Sequence, residues 1–187
     1  MIRLKVFLGS SFLLFTSISV FAECSSKRAI IAETAPTSNY IVDTSREVVT
    51  DTTTGLMWKM CLEGLSGTDC TSGSVASVTF TGATTLVDDA NTAMFAGYDN
   101  WRLPNIKELR TTVEEQCRQP AFNEEVFPNV PGSGYVFSNT PRSYRETGEI
   151  WLWLITTAQG ALYPYGVNSS GSGATSSSHV RLVRNAQ

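Results

Sequence analysis

The sequence is poor in charged residues and contains a single histidine. Charged residues make up 17% of the 187 positions, and 17 Asp and Glu outnumber 14 Lys and Arg. No stretch is rich in Lys or Arg, which argues against a nucleic-acid partner. With His179 alone, a histidine-rich metal site is excluded and Ser-His or Cys-His catalysis has one possible base. Because His179 follows a run of serines, we expect it to be a solvated loop residue.

The chain also lacks an apolar run long enough to cross a bilayer. Its longest apolar stretch, residues 6–21, covers 16 positions, whereas a membrane helix needs about 20. Basic residues precede this stretch, and the tripeptide Val20-Phe21-Ala22 at its end suits signal peptidase. We therefore predict a signal peptide over residues 1–22, and one exported domain over residues 23–187 that lies in the periplasm, on the cell surface or in the medium. A membrane anchor and a lipoprotein signal at Cys24 are the alternatives.

Removal of residues 1–22 takes away two basic side chains, so the formal net charge changes from −3 to −5. All four cysteines remain, and an even number in an oxidising compartment favours two disulfides. Cys61 and Cys70 flank a loop rich in Gly, Ser and Thr; if they pair, Cys24 pairs with Cys117. A zinc ion held by all four is the alternative, which the lack of a C-x-x-C pair disfavours. No metal and no other cofactor are expected.

Apolar patterning predicts strands at both ends of the domain and two helices between them. The first helix has Ala83, Leu86, Val87, Ala90 and Met94 on one face, with Thr81 as its N-cap and Gly97 beyond its end. Strands are expected at residues 40–42, 46–49, 56–60, 135–137, 149–156, 161–165 and 180–183, with a turn at 51–55. This order predicts an α+β fold with one mainly antiparallel sheet.

The second predicted helix follows Pro104. Asn105 and Glu108 have the spacing of a capping box. Ile106, Leu109 and Val113 form its apolar stripe, which is expected to pack in the core.

Five motifs follow one another along the chain and carry a family resemblance. They are Asp51-Thr52-x-Thr54-Gly55-Leu56-Met57-Trp58, Ala96-Gly97-Tyr98, Trp101-Arg102-Leu103-Pro104-Asn105-x-Lys107-Glu108-Leu109, Phe127-Pro128-Asn129 and Val180-Arg181-Leu182-Val183-Arg184. In this order the chain resembles the Lcl C-terminal domain (Lcl_C) family of exported bacterial proteins over about residues 48–184. The resemblance implies a C-type-lectin-like fold, distantly similar to the formylglycine-generating-enzyme domain, and a role in surface attachment.

The family's namesake is the C-terminal domain of a collagen-like adhesin that binds sulfated glycans. This chain differs from it in having no Gly-x-y tract and a negative net charge, and both differences count against a glycosaminoglycan ligand. The cysteine pair used by formylglycine-generating enzymes has no counterpart here, because no cysteine follows Cys117.

The motif residues are interpreted as supports of the fold. They are Trp58, Trp101, Arg102, Asn105 and Glu108. Trp101 is expected to be a core side chain, and Arg102 is expected to pair with Glu108. The alternative makes Trp101 a sugar-stacking platform and Arg102 an anion donor. Asp99 and Asn100 are typical of calcium sites, but the Glu-Pro-Asn or Gln-Pro-Asp tripeptide of calcium-dependent lectins is missing. The carboxylates at 114–115 and 124–125 are adjacent in sequence and are expected to lie on solvated surfaces.

A candidate ligand surface lies in the last third of the chain. Trp151 and Trp153 alternate with Leu152 and Leu154, so one face of this strand carries both tryptophans. If that face is open, its rings offer a stacking surface; a strand buried on both faces is the alternative. We predict that further aromatic and basic residues extend this surface, namely Tyr163, Tyr165, Arg142, Tyr144 and Arg145.

The sequence thus predicts a noncatalytic binding or adhesion module whose partner is a polysaccharide or a cell-surface protein. The alternative is a structural or assembly subunit of a cell-envelope or appendage complex. The least favoured hypothesis is that the protein is an enzyme, such as a hydrolase.

Overall fold

The computed structural model describes residue 24 and residues 27–28, 30–143, 150–167 and 178–186. The predicted signal peptide lies outside these residues. The strands are β1 (Tyr40–Asp43), β2 (Val48–Asp51), β3 (Leu56–Lys59), β4 (Leu65–Ser66), β5 (Ser72–Gly73), β6 (Tyr135–Arg142), β7 (Trp151–Thr156), β8 (Leu162–Gly166) and β9 (Val183–Asn185). The α-helices are α1 (Phe80–Thr92) and α2 (Ile106–Arg110), and short 3₁₀ turns occupy Thr37–Asn39 and Phe95–Gly97.

The fold class is α+β, as predicted, but the strands divide among three small antiparallel sheets. The sheet orders are β1-β2-β3-β9, β4-β5 and β6-β7-β8. The C-terminal strand β9 completes the first sheet by pairing with β3, and this pairing places Val183 opposite Trp58. A strand was expected at 180–183, whereas β9 begins at Val183. The residues before it form backbone hydrogen bonds with Val78, β6, Glu63 and Lys59 instead.

The turn between β2 and β3 forms as its sequence predicts. Gly55 adopts a φ of +69°, a left-handed conformation that suits glycine. The buried Asp51 carboxylate accepts hydrogen bonds from the backbone N–H groups of Thr53 (2.8 Å) and Thr54 (3.2 Å). The Thr54 hydroxyl donates to the same carboxylate at 2.7 Å. This side chain therefore fixes the hairpin.

Helix α1 begins two residues earlier than expected. Thr79, and not Thr81, is the N-cap, and its hydroxyl accepts from the Gly82 N–H at 3.3 Å. Ala83 and Ala90 are buried as predicted. Met94 is not part of the apolar stripe: it lies beyond the helix end in a left-handed conformation and is 51% exposed.

The buried residues form two hydrophobic clusters, and residues 178–186 contribute to both: Val183 packs in one with Trp58, and Leu182 packs in the other with Trp101. The Leu182 carbonyl accepts from the Lys59 N–H at 3.0 Å, and the His179 carbonyl accepts from the Phe137 N–H at 3.0 Å. The expectation of a solvated His179 is wrong. Its side chain is buried, its Nδ1 lies 3.2 Å from the Ala76 carbonyl oxygen, and Gly134 packs against its ring.

Two disulfides are present, Cys61–Cys70 and Cys24–Cys117, with the predicted pairing. They fit an oxidising compartment such as the periplasm or the extracellular space. None of the helices in the described part of the chain has the length and apolar character needed to traverse a bilayer.

The expectation of a solvated Glu114 is also wrong. Its buried carboxylate accepts from the N–H groups of Thr34 (3.0 Å), Ala35 (2.8 Å) and Gln116 (2.9 Å). Glu114 thereby fastens the N-terminal segment to the region after α2.

Candidate functional site

The β6-β7-β8 sheet has two unlike faces. On its inner face, Leu152 and Leu154 of β7 are buried in a core that also contains Phe137 of β6. On its outer face, Trp151 and Trp153 are only half-buried. The predicted alternation along β7 is therefore present, and the strand is not buried on both sides.

The register of β8 determines which residues share the tryptophan face. Pro164 lies opposite Trp153, and Gly166 lies opposite Trp151. Because residues that pair across an antiparallel ladder point to the same face, Pro164 borders the indole of Trp153. Gly166 is buried and adds no side chain to this face.

Tyr163 and Tyr165 do not extend the tryptophan face, which corrects the prediction. They pair with Leu154 and Leu152 and so belong to the inner face. Tyr165 is buried, its ring meets Phe137 edge-on at 5.2 Å between centroids, and burial raises its pKa. Tyr163 lies at the rim of the inner face and stacks on Tyr135 at 4.5 Å. A shift of one residue in the register between two neighbouring strands moves every side chain of one strand to the opposite face of the sheet.

Arg142 does join the tryptophan face. It pairs with Trp151 across β6 and β7, and its guanidinium carbon lies 5.8 Å from the Trp151 ring centroid and 5.2 Å from that of Trp153. Both distances fall within the range of cation–π attraction. We call Arg142, Trp151, Trp153 and Pro164 the tryptophan shelf. The other two residues predicted for this surface, Tyr144 and Arg145, lie outside the described residues.

Helix α2 explains why only one end of the outer face is open. Ile155 shares this face with the tryptophans but is fully buried in a core with Leu109 of α2. The helix has only five residues, so it covers the Ile155 end of the sheet. The tryptophan end stays partly exposed.

The Trp-Arg-Leu-Pro-Asn motif positions this helix. Asn105 caps α2 by accepting from the Lys107 and Glu108 N–H groups, both at 2.9 Å, and Glu108 accepts from the Asn105 N–H at 2.8 Å. Arg102 donates two 2.8 Å hydrogen bonds to the Glu108 carboxylate. Partial burial raises the pKa of Glu108, but the bonds from Arg102 and Asn105 outweigh it and lower the pKa overall. The Ile106 N–H donates to the Thr140 hydroxyl of β6 at 2.8 Å, which ties the helix to the sheet.

The two tryptophans of the family motifs lie inside the molecule. Trp58 is fully buried, and Trp101 is nearly so, with its indole N–H donating to the Phe95 carbonyl at 3.0 Å. Trp101 therefore offers no ring face to a sugar, and the interpretation as a core side chain is confirmed. Of the possible calcium ligands beside it, Asn100 accepts a 2.7 Å hydrogen bond from Arg184.

A buried charge cluster had no sequence signal that we recognised. Arg181 is fully buried, and its Nη1 donates to the carbonyls of Lys59 (2.9 Å) and Met60 while its guanidinium lies 4.5 Å above the Phe127 ring. Burial lowers its pKa to about 9. Burial also raises the pKa of Glu63, whose Oε1 lies 2.7 Å from the Lys59 Nζ. Arg181 is a motif residue that links the C-terminal segment to β3.

The described residues contain no group of three or more His, Cys, Asp or Glu side chains placed to hold a metal ion. The shelf itself supplies two indole rings, a proline ring and a guanidinium. Such a set stacks on flat apolar surfaces and donates hydrogen bonds at one edge.

The family profile of the Lcl C-terminal domain (Lcl_C) matches residues 47–184. This match covers most of the chain, and the protein therefore belongs to the Lcl_C family. No curated protein and no solved structure gives a significant match.

Proposed function

We propose that this protein is an exported, noncatalytic binding module that attaches to cell-surface polysaccharide through the tryptophan shelf. The observation that carries the proposal is the pair of partly exposed indoles on one face of β7 beside the Arg142 guanidinium. Large aromatic side chains left partly in water on a rigid sheet are typical of recognition surfaces.

The chemistry of the shelf suits a sugar chain. The C–H faces of a pyranose ring are flat and apolar, and burying them against an indole removes apolar area from water. Arg142 adds planar donors that match a sugar hydroxyl or a carboxylate. Among the described residues, the shelf holds no carboxylate, thiol or imidazole to act as an acid, base or nucleophile, which favours binding without catalysis.

Export is supported by the two disulfides, because such bonds persist in oxidising compartments. The apolar stretch at residues 6–21 after two basic residues has the order of a signal peptide. Both features suit a protein that meets polysaccharide outside the cytoplasm.

The test is a glycan array followed by titration of the best binder, with Trp153→Ala and Tyr163→Ala as a matched pair. Both variants remove a partly exposed ring from the same sheet, but from opposite faces. We expect Trp153→Ala to lose about 2 kcal/mol of binding, or about thirty-fold in affinity, as an anchoring aromatic does. Tyr163→Ala should bind like the native protein. Absence of binding by the folded native domain, or equal binding by both variants, would contradict the proposal.

A second candidate function is an assembly subunit of an envelope or appendage complex. The observation in its favour is two exposed apolar side chains: Leu162 on the edge strand β8 is 52% exposed, and Ile150, directly before β7, is 55% exposed. Cross-linking in intact cells followed by mass spectrometry distinguishes the two. A stoichiometric protein partner that Leu162→Glu abolishes favours assembly, whereas loss of polysaccharide binding in Trp153→Ala favours adhesion.

A further inference from the structure

A polar cavity lies beside the turn that joins β2 to β3. It has a volume of about 200 Å³ and shares no residue with the tryptophan shelf. Its walls come from the N-terminal segment, β1, the turn and the end of α2, and they include Thr34, Tyr40, Asp51, Thr54 and Thr111. The turn belongs to the first of the family motifs, so the motif contributes to a concave surface as well as to a hairpin.

Two hydroxyl groups of the lining are fixed by hydrogen bonds to other lining residues. The Tyr40 hydroxyl donates to the Thr111 carbonyl at 3.2 Å, and the Thr34 hydroxyl donates to the Val113 carbonyl at 2.9 Å. A hydroxyl has one proton to donate and two lone pairs with which to accept. Because both protons are already used, these groups offer a ligand acceptor oxygen atoms and no donor.

The Asp51 carboxylate adds negative charge to the same wall. It accepts from the N–H groups of Thr53 and Thr54 and from the Thr54 hydroxyl, all of which belong to lining residues. Asp51 is only 3% exposed, and it takes part in none of the ion pairs found within the described ranges. Burial, and then the charges of Asp51 and Glu114, raise the pKa of Tyr40, which keeps its hydroxyl protonated.

The cation of the lining is directed elsewhere. Among the described lining residues Arg110 alone carries a positive charge. Its Nη2 forms an ion pair with Glu115, and its Nη1 donates to the Gly160 carbonyl. Neither of these partners lines the cavity. The charge of Arg110 is therefore balanced outside the cavity, and the Asp51 carboxylate makes the potential inside it negative.

We propose that this cavity binds the ammonium group of a small amine. An ammonium group has three N–H donors and no acceptor, so it is complementary to the acceptor oxygens of Tyr40, Thr34 and Asp51. Its positive charge is attracted by the carboxylate, and charge-assisted hydrogen bonds are the strong ones. Pockets for drug-sized ligands have about 300–1,000 Å³, so the smaller cavity suits a small molecule. This site does not depend on the proposed polysaccharide binding.

The test is an NMR titration of the full domain with methylammonium chloride and, separately, with tetramethylammonium chloride at equal ionic strength. Both cations carry one charge, but tetramethylammonium has no N–H to donate. We expect saturable shifts of the Thr53 and Thr54 backbone amides, which donate to Asp51, with methylammonium alone. Glucose, which has hydroxyl donors and no charge, should cause none. No saturable shift with methylammonium, or an equal response to tetramethylammonium or glucose, overturns the proposal.

A charge variant and its matched control separate this site from general attraction to an acidic protein. Asp51→Asn keeps a carbonyl acceptor in the turn but removes the charge, and it should weaken methylammonium binding about ten-fold. Asp43→Asn is the control, because Asp43 also fixes a turn through its carboxylate but does not line the cavity. The control should bind as the native protein does. Native affinity in Asp51→Asn, or an equal loss in the control, overturns the proposal.

A second variant keeps the proposal testable if Asp51→Asn does not fold. Tyr40→Phe removes one acceptor oxygen and retains the ring, which packs edge-on against Phe127 at 5.6 Å between centroids. It should weaken methylammonium binding about three-fold, as the loss of one hydrogen bond does. Native affinity in folded Tyr40→Phe overturns the assignment of the cavity.

Discussion

The two faces of the β6-β7-β8 sheet use the same strands for different purposes. On the inner face, Leu154 has no exposed surface, and a complete core packs against it. On the outer face, a helix of five residues covers only the Ile155 end, and Trp151 and Trp153 are partly exposed. Apolar character alone does not distinguish these faces. The difference comes from what the rest of the chain places over each one.

The largest expected effect is on the inner face. Leu154→Ala removes a fully buried side chain and should lower the free energy of unfolding by about 3 kcal/mol, because the transfer energy is lost and a cavity remains. Urea unfolding followed by circular dichroism measures it. A loss below about 1 kcal/mol would mean that the inner face is not the structural one.

An intermediate effect is expected where α2 meets the outer face. Glu108→Gln removes the charge that binds Arg102 and weakens the capping box, so we expect a loss of about 1–2 kcal/mol in the free energy of unfolding. Lys107→Gln on the same helix, which makes no comparable contact among its described hydrogen bonds, is the control.

The loss in Glu108→Gln should depend on pH. The pKa of Glu108 is lower in the folded protein than its ordinary value of 4.5, so its ionised form stabilises the fold above that pH. The stabilisation is lost as the pH falls through the folded pKa. Urea unfolding of both proteins between pH 3 and pH 7 should show the gap closing at the acid end. A gap that is constant with pH would contradict this role of the carboxylate.

The smallest expected effect on stability is on the shelf. Trp153→Ala should lower the free energy of unfolding by about 1 kcal/mol, less than Leu154→Ala does, because the ring lies on a partly exposed face and its removal leaves no enclosed cavity. Thermal unfolding of Trp153→Ala beside Leu154→Ala gives the contrast directly. Equal destabilisation of the two variants would remove the distinction between the faces.

Local signals in the sequence predicted the local structure well. The Asp51 turn, the Asn105–Glu108 capping box and the alternation along β7 each depend on residues within a few positions of one another. The disulfide pairing also followed from the sequence, because assigning Cys61 to Cys70 across their short loop leaves only Cys24 and Cys117 to pair.

Long-range burial could not be predicted in the same way. Glu114 is buried because Thr34 and Ala35, some 80 positions earlier, donate hydrogen bonds to it. Arg181 is buried because the C-terminal segment runs beside β3, where the Arg181 guanidinium donates to the Lys59 carbonyl. The face on which Tyr163 and Tyr165 lie depends on the register in which β8 pairs with β7. The sequence pattern is compatible with either register, so it does not determine that face.

The most direct test of the shelf uses the four indole N–H signals in the NMR spectrum, each assigned with a Trp→Phe variant. On titration with the best-bound oligosaccharide, the signals of Trp151 and Trp153 should shift together and saturate, while those of the buried Trp58 and Trp101 stay in place. Saturable binding that leaves the Trp151 and Trp153 signals unmoved would contradict the account.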